Sequence, residues 1–152
     1  MQAQAQSTWA GTWRKGGGTI STRSGILDGA KHSFATRFDE PHGASPEELF
    51  AAAHAACFNQ ALANNLDHEG LTAASVETTV EVSYGIVDGR PTISGSHITV
   101  IATVPQASKE VFQAAAAKSS TGCAISRILT VPITITATLL EMASTQLEGD
   151  LR

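Results

Sequence analysis

The sequence predicts an α+β fold in which a mainly antiparallel sheet surrounds one long central helix. Bulky and polar residues alternate in residues 9–38, 76–104 and 132–140, the period of half-buried strands. A single Ala-rich run, SPEELFAAAHAACFNQALANNL, instead carries helix signals from end to end. The resulting order of strands and helices lacks the strand–helix alternation that builds a doubly wound parallel sheet.

Residues 1–6 are polar and featureless and are expected to fray, as is the tail from about 143 to 152. Short strands are expected near 9–15, 18–24 and 31–38, because Gly16-Gly17-Gly18 and Asp28-Gly29 read as the turns of a meander. Ser45-Pro46-Glu47-Glu48 then opens a helix, with Ser45 as N-cap, Pro46 at the first helical position and acid in the first turn. That helix should run to about His68 and stop at Gly70. Its apolar residues lie around most of its circumference, which predicts a buried element. Residues 76–87 and 93–104 alternate on either side of Asp88-Gly89-Arg90-Pro91 and predict a hairpin. A helix over 108–118, a turn at 119–122, a short helix over 123–129 and a strand over 132–140 complete one expected domain, 1–152.

Of the 152 residues, 42% are apolar and 16% charged, with a net charge of −4. So lightly charged a chain, rich in Ala and Val, is expected to hide further area in a second copy, as a homodimer. The net charge and the absence of any Lys/Arg cluster argue against nucleic-acid binding. No run of about 18 apolar residues predicts a membrane span, and residues 1–13 have neither a basic region nor an apolar core of a secretory signal. The expected location is the cytoplasm, where thiols stay reduced and a cysteine pair points to catalysis or metal rather than a structural disulfide.

Cys57 and Cys123 are the only cysteines. Cys57 lies inside the Ala-rich helix, where small neighbours leave room for a substrate, with Phe50 and Phe58 close in sequence as apolar lining. Cys123 is expected at a helix start, where unpaired N–H groups favour a thiolate. A thiol that reacts near neutral pH needs a helper, and a guanidinium, permanently charged and weakly hydrated, suits that task. Among the six arginines, Arg37 stands out in TRF, at an expected strand end just before the long helix; Arg14 lies in the first strand region. Glu47 fits the helix dipole, and it could also anchor an arginine through a bidentate pair. His54 shares a helix face with Cys57 and reads best as a satisfied core histidine. No histidine spacing supports a metal site, and the Gly16–Gly18 run precedes no phosphate-binding strand–loop–helix unit.

At SPEELFAAAHAACF the chain resembles the osmotically inducible protein C (OsmC) and organic hydroperoxide resistance superfamily. GGGTIST, SGIL, TRF, the Pro-Glu-Glu-Leu helix start, His-Ala-Ala-Cys-Phe and Gly-Cys-Ala-Ile-Ser around Cys123 carry the likeness from about Trp9 to Leu140. TRF and HAACF are more similar to the OsmC branch; the other branch places its arginine in the first hairpin, the region of Arg14. The resemblance implies an intertwined homodimer and a thiol peroxidase that prefers organic hydroperoxides, without metal, haem or other cofactor. It implies Cys57 as the peroxidatic cysteine, Cys123 as the resolving one in an intramolecular disulfide, and Arg37 with Glu47 as the activating pair. An external dithiol would be the reductant, and defence against oxidative or osmotic stress the role.

Glu47 and Cys57 are ten residues apart. A straight helix separates them by about 15 Å and turns them to different faces, so Glu47 is expected to serve the Cys57 of a partner chain. Two other readings stay open from sequence: an apolar ligand-binding module with inert thiols, and a thiol hydrolase using a Cys57–His54 dyad.

Overall fold

The computed structural model describes residues 1–39 and 42–141. The expected fraying of 143–152 lies outside the described residues. The chain forms two compact units, residues 1–52 and 53–152.

In the first unit, β1 (Ala5–Ser7), β2 (Gly17–Thr22) and β3 (Ala30–Ser33) form an antiparallel sheet in chain order. Ala5 and Gln6 pair with Thr22 and Ser21, so the expected fraying stops short of them. The strand expected over 9–15 is absent: apart from a bridge between Ala10 and Gly17, this segment is a compact loop. Gly11 has a φ of +90°, which favours glycine, and a Cβ on Gly18 would overlap the Thr8 carbonyl. The glycine run therefore marks a close backbone approach inside β2, not a turn.

The expected third strand ends early. After Ser33 the chain turns into α1 (Phe34–Phe38), with a capping box formed by Ser33 and Thr36. Arg37 thus sits in a helical last turn rather than at a strand end.

Helix α2 (Pro46–His68) begins and ends as its sequence predicts. The Glu48 N–H donates to Ser45 Oγ at 3.3 Å, while Gly70, at φ +70°, lets the Leu71 N–H reach the Leu66 carbonyl. Within this chain the helix is not buried all round. His54, Phe58, Leu62 and Leu66, spaced by four, are buried, whereas Ala52, Ala53, Ala56 and Ala63 are exposed.

The second unit carries β4 (Ser75–Val87), β5 (Arg90–Thr103), α3 (Lys109–Gly122), the 3₁₀ turn Ser126–Ile128 and β6 (Ile133–Leu139). Asp88 and Gly89, with φ of 50° and 74°, close the β4–β5 hairpin. β6 pairs parallel to β5, an exception to the antiparallel expectation, because α3 carries the chain back between them. The turn expected at 119–122 is the last turn of α3, and the expected helix over 123–129 shortens to three residues. Inward alternation of β5 lays Ile98, Val100 and Ala102 against Phe58, Leu62 and Leu66 of α2 and Phe112 of α3. Leu62 is fully buried in this cluster, so Leu62→Ala should cost about 2–5 kcal/mol, read from a lower urea midpoint. A midpoint equal to that of the parent chain would contradict this core assignment.

Candidate active site

In the first unit, the fold brings Arg37 and Glu47 together. Arg37 Nε donates to Glu47 Oε1 and Oε2 at 3.0 and 3.1 Å, and Nη2 also donates to Oε1. Ser45 adds a hydroxyl, its Oγ donating to Oε2 at 3.1 Å while it caps α2. Glu47 is only 5% exposed. Burial works against its charge, but the Arg37 hydrogen bonds, a donor from its own backbone and the Ser45 hydroxyl outweigh it and hold the carboxyl below the ordinary glutamate range. The pair fixes a guanidinium in one orientation, as bidentate geometry does.

Beside it lies a cavity of about 240 Å³ whose lining includes Trp9, Trp13, His32, Phe34, Phe38 and Arg37. The Arg37 guanidinium carbon lies 5.1 Å from the Phe38 ring centre. Arg14 is placed otherwise, over the Trp13 and Phe34 rings at 5.2 and 5.1 Å. Its position is that of a cation on an aromatic cluster. Phe58, expected as apolar lining near Cys57, is fully buried in the core of the second unit.

In the second unit, the two thiols meet. Both cysteines are free, and each thiol affects the ionisation of the other. Cys123 caps the C-terminus of α3, not the start of a helix, but the turn that follows still directs donors at sulfur. The Ala124 and Ile125 N–H groups face Cys57 Sγ, while the Ile125 and Ser126 N–H groups face Cys123 Sγ. Consecutive N–H groups turned inward form a concavity that favours negative charge.

The two sulfurs do not share this cradle equally. Burial pushes the Cys57 thiol up, and the neighbouring Cys123 adds to that effect against the pull of Ile125 and Ala124. For Cys123, burial also opposes ionisation, but the Ser126 hydroxyl and N–H, the Cys57 thiol and the Ile125 N–H together bring it down. Access is divided the other way. Cys123 is buried, whereas Cys57 is partly exposed.

His54 is fully buried and bonded at both ring nitrogens, Nδ1 to Ser96 Oγ at 3.0 Å and Nε2 to Ser126 Oγ at 2.9 Å. Desolvation lowers its pKa, so the ring is neutral near pH 7. The core-histidine reading holds. What sequence reasoning missed is its partners, Ser96 and Ser126, and the N–H donors of residues 124–126. The available signals were a serine at an inward β5 position and another three residues after Cys123. Among the described residues, no group of three or more His, Cys, Asp or Glu side chains could hold a metal ion, and no helix is long and apolar enough to cross a membrane.

A family model described as OsmC-like protein matches residues 39–138. Peroxiredoxin OsmC of Escherichia coli K12 is 38% identical over 135 residues, covering 89% of this chain and 94% of that protein. The chain belongs to the OsmC-like family. Solved structures agree on the fold. The organic hydroperoxide resistance protein OhrB of Bacillus subtilis aligns with a TM-score of 0.65 at 23% identity, over 92% of this chain and 98% of its own. An OsmC-like protein of Mycoplasma pneumoniae aligns at 0.71 with 13% identity, over 93% and 99%.

The Glu47 pair makes a pH-dependent contribution with a definite sign. A carboxylate whose folded pKa is depressed stabilises the fold above its unfolded value, and that stabilisation is lost as pH falls through the folded value. Glu47→Gln should therefore be less stable than the parent chain near neutrality, with the gap closing on acidification. Urea midpoints measured down the acid limb test this, and a gap that stays constant with pH would contradict the charged pairing.

Proposed function

We propose that this chain is a thiol-dependent peroxidase that reduces organic hydroperoxides, and hydrogen peroxide more slowly. It is a cysteine-based oxidoreductase of the antioxidant, stress-response kind. The observation that carries this reading is the pair of electrostatically linked thiols under three inward N–H groups, in a chain of this family.

Cys57 is the peroxidatic residue because a peroxide can reach it, whereas Cys123 is 3% exposed. The Cys57 thiolate attacks the terminal peroxide oxygen; the O–O bond breaks, the alcohol leaves and Cys57 becomes a sulfenic acid. Cys123 attacks that sulfur and expels water, and an external dithiol reduces the resulting intramolecular disulfide. Cys57 needs a positive charge to ionise, since burial and Cys123 both oppose it. Arg37, held by Glu47, supplies that charge and then stabilises the developing alkoxide.

The Arg37–Glu47 pair acts on the partner's thiol in an intertwined homodimer, so the two units of each chain serve one OsmC-like domain. Two observations support this: the helical spacing from Glu47 to Cys57, and the exposed Ala52, Ala53 and Ala56, which leave a face of α2 for a second copy. The aromatic cavity beside Arg37 receives the organic group of the hydroperoxide. The protein works in the cytoplasm without cofactor, membrane or nucleic acid. A Cys57–His54 hydrolase is less well supported, because serines occupy both ring nitrogens of His54.

One equivalent of cumene hydroperoxide should remove both thiols without crosslinking chains, and kcat/KM should exceed that for hydrogen peroxide. Cys57→Ser should abolish turnover. Cys123→Ser should still be oxidised once and then proceed to sulfinic acid, visible by mass spectrometry. Two thiols left intact by the hydroperoxide would instead indicate a ligand-binding module.

A further inference from the structure

Next to the two sulfurs runs a hydrogen-bonded chain that the peroxidase cycle above leaves unused. Ser96 Oγ meets His54 Nδ1, His54 Nε2 meets Ser126 Oγ, and Ser126 Oγ meets Cys123 Sγ at 3.1 Å. All four residues are buried, and His54 has no exposed surface. They come from α2, from β5, from the turn after α3 and from the start of the 3₁₀ segment. The same inward alternation that packs Ile98 and Val100 places Ser96 under the imidazole.

Filling this volume does not require an imidazole. An apolar side chain would fill it without two hydroxyls to satisfy the ring, and burying polar groups costs free energy unless each is bonded. A hydroxyl between a thiol and an imidazole can accept from one while donating to the other, then exchange roles.

We propose that Ser126 is a catalytic residue of the resolving step, and that His54, oriented by Ser96, is the positioning residue behind it. The inference rests on the peroxidase reading and concerns its second half. One arrangement of protons satisfies these contacts: the Cys123 thiol donates to Ser126 Oγ, Ser126 donates to His54 Nε2, and His54 Nδ1–H donates to Ser96. As Cys123 Sγ bonds to Cys57 Sγ, its proton passes to Ser126 Oγ and the Ser126 proton passes to His54 Nε2. The S–O bond of the Cys57 sulfenic acid breaks. Burial disfavours the imidazolium, so His54 gives its extra proton back through Ser126 to the departing hydroxide, which leaves as water. The balance is one sulfenic acid and one thiol giving one disulfide and one water, with no other reactant. Among the described residues, the titratable Cys57 and His54, from α2, come together here with Cys123.

The test separates the two half-reactions in the full-length protein. After a single pulse of cumene hydroperoxide, dimedone trapping follows the Cys57 sulfenic acid and non-reducing mass spectrometry follows the disulfide. Ser126→Ala should still form the sulfenic acid but close the disulfide roughly ten-fold more slowly, the equivalent of about one pKa unit. Ser126→Thr, which keeps the hydroxyl, should recover most of that rate. In a Cys57→Ser background, Ser126→Ala should also raise the pH at which the Cys123 thiolate absorbance appears. Ser96→Ala, acting through His54, should slow closure in the same direction and serves if Ser126→Ala does not fold. Disulfide closure at the parent rate with an unchanged Cys123 titration, or no recovery with threonine, would overturn the proposal. Absence of any Cys57 sulfenic acid in the parent protein would instead overturn the peroxidase reading, while the Cys123 titration would still decide the role of Ser126.

Discussion

Sulfur chemistry near neutral pH depends on charge stabilisation where water is scarce, and the rest of this structure is arranged around that constraint. A thiol moved out of water holds its proton more tightly unless donors or a cation compensate. The second unit supplies donors: three consecutive backbone N–H groups and a serine hydroxyl, turned toward two sulfurs that affect each other's ionisation. Those donors bring Cys123 down and leave Cys57 up. The accessible thiol is thus the one that holds its proton more tightly. The first unit holds a guanidinium fixed by a carboxylate that in turn accepts from the N-cap residue of α2, and on the proposed reading that guanidinium favours the Cys57 thiolate.

This division explains why one serine does two tasks at the start of α2. Ser45 satisfies the Glu48 N–H and also donates to Glu47, so helix initiation and the orientation of Arg37 depend on one side chain. On the proposed reading, the same economy recurs at Ser126, whose N–H and hydroxyl both reach Cys123 while its oxygen engages His54.

Signals that act over a few residues were legible in the sequence. The start of α2 at Ser45-Pro46, its stop at Gly70 and the Asp88-Gly89 hairpin are all local capping or turn chemistry. The alternation around Trp9 and Trp13 misled, because it belongs to a loop folded tightly by Gly11 and Gly16. The parallel pairing of β6 and the switch from strand to helix after Ser33 also escaped, the first because strand partners are chosen across the fold. Within the candidate site, Arg37, Glu47 and the cysteines were readable as residue types with a chemical purpose. Ser96 and Ser126 were not, since each gains meaning only from His54, 42 and 72 residues away in the chain.

The central claim is that the guanidinium of one chain activates the accessible thiol of another. Mixing Cys57→Ser subunits with Glu47→Ala subunits tests it most directly, with the organic hydroperoxide assay as readout. Each mixed dimer would hold one site lacking both groups and one complete site, so activity should rise well above that of either variant alone once subunits have exchanged. No rise, with exchange verified by native mass spectrometry, would mean that Glu47 acts within its own chain or only stabilises its helix.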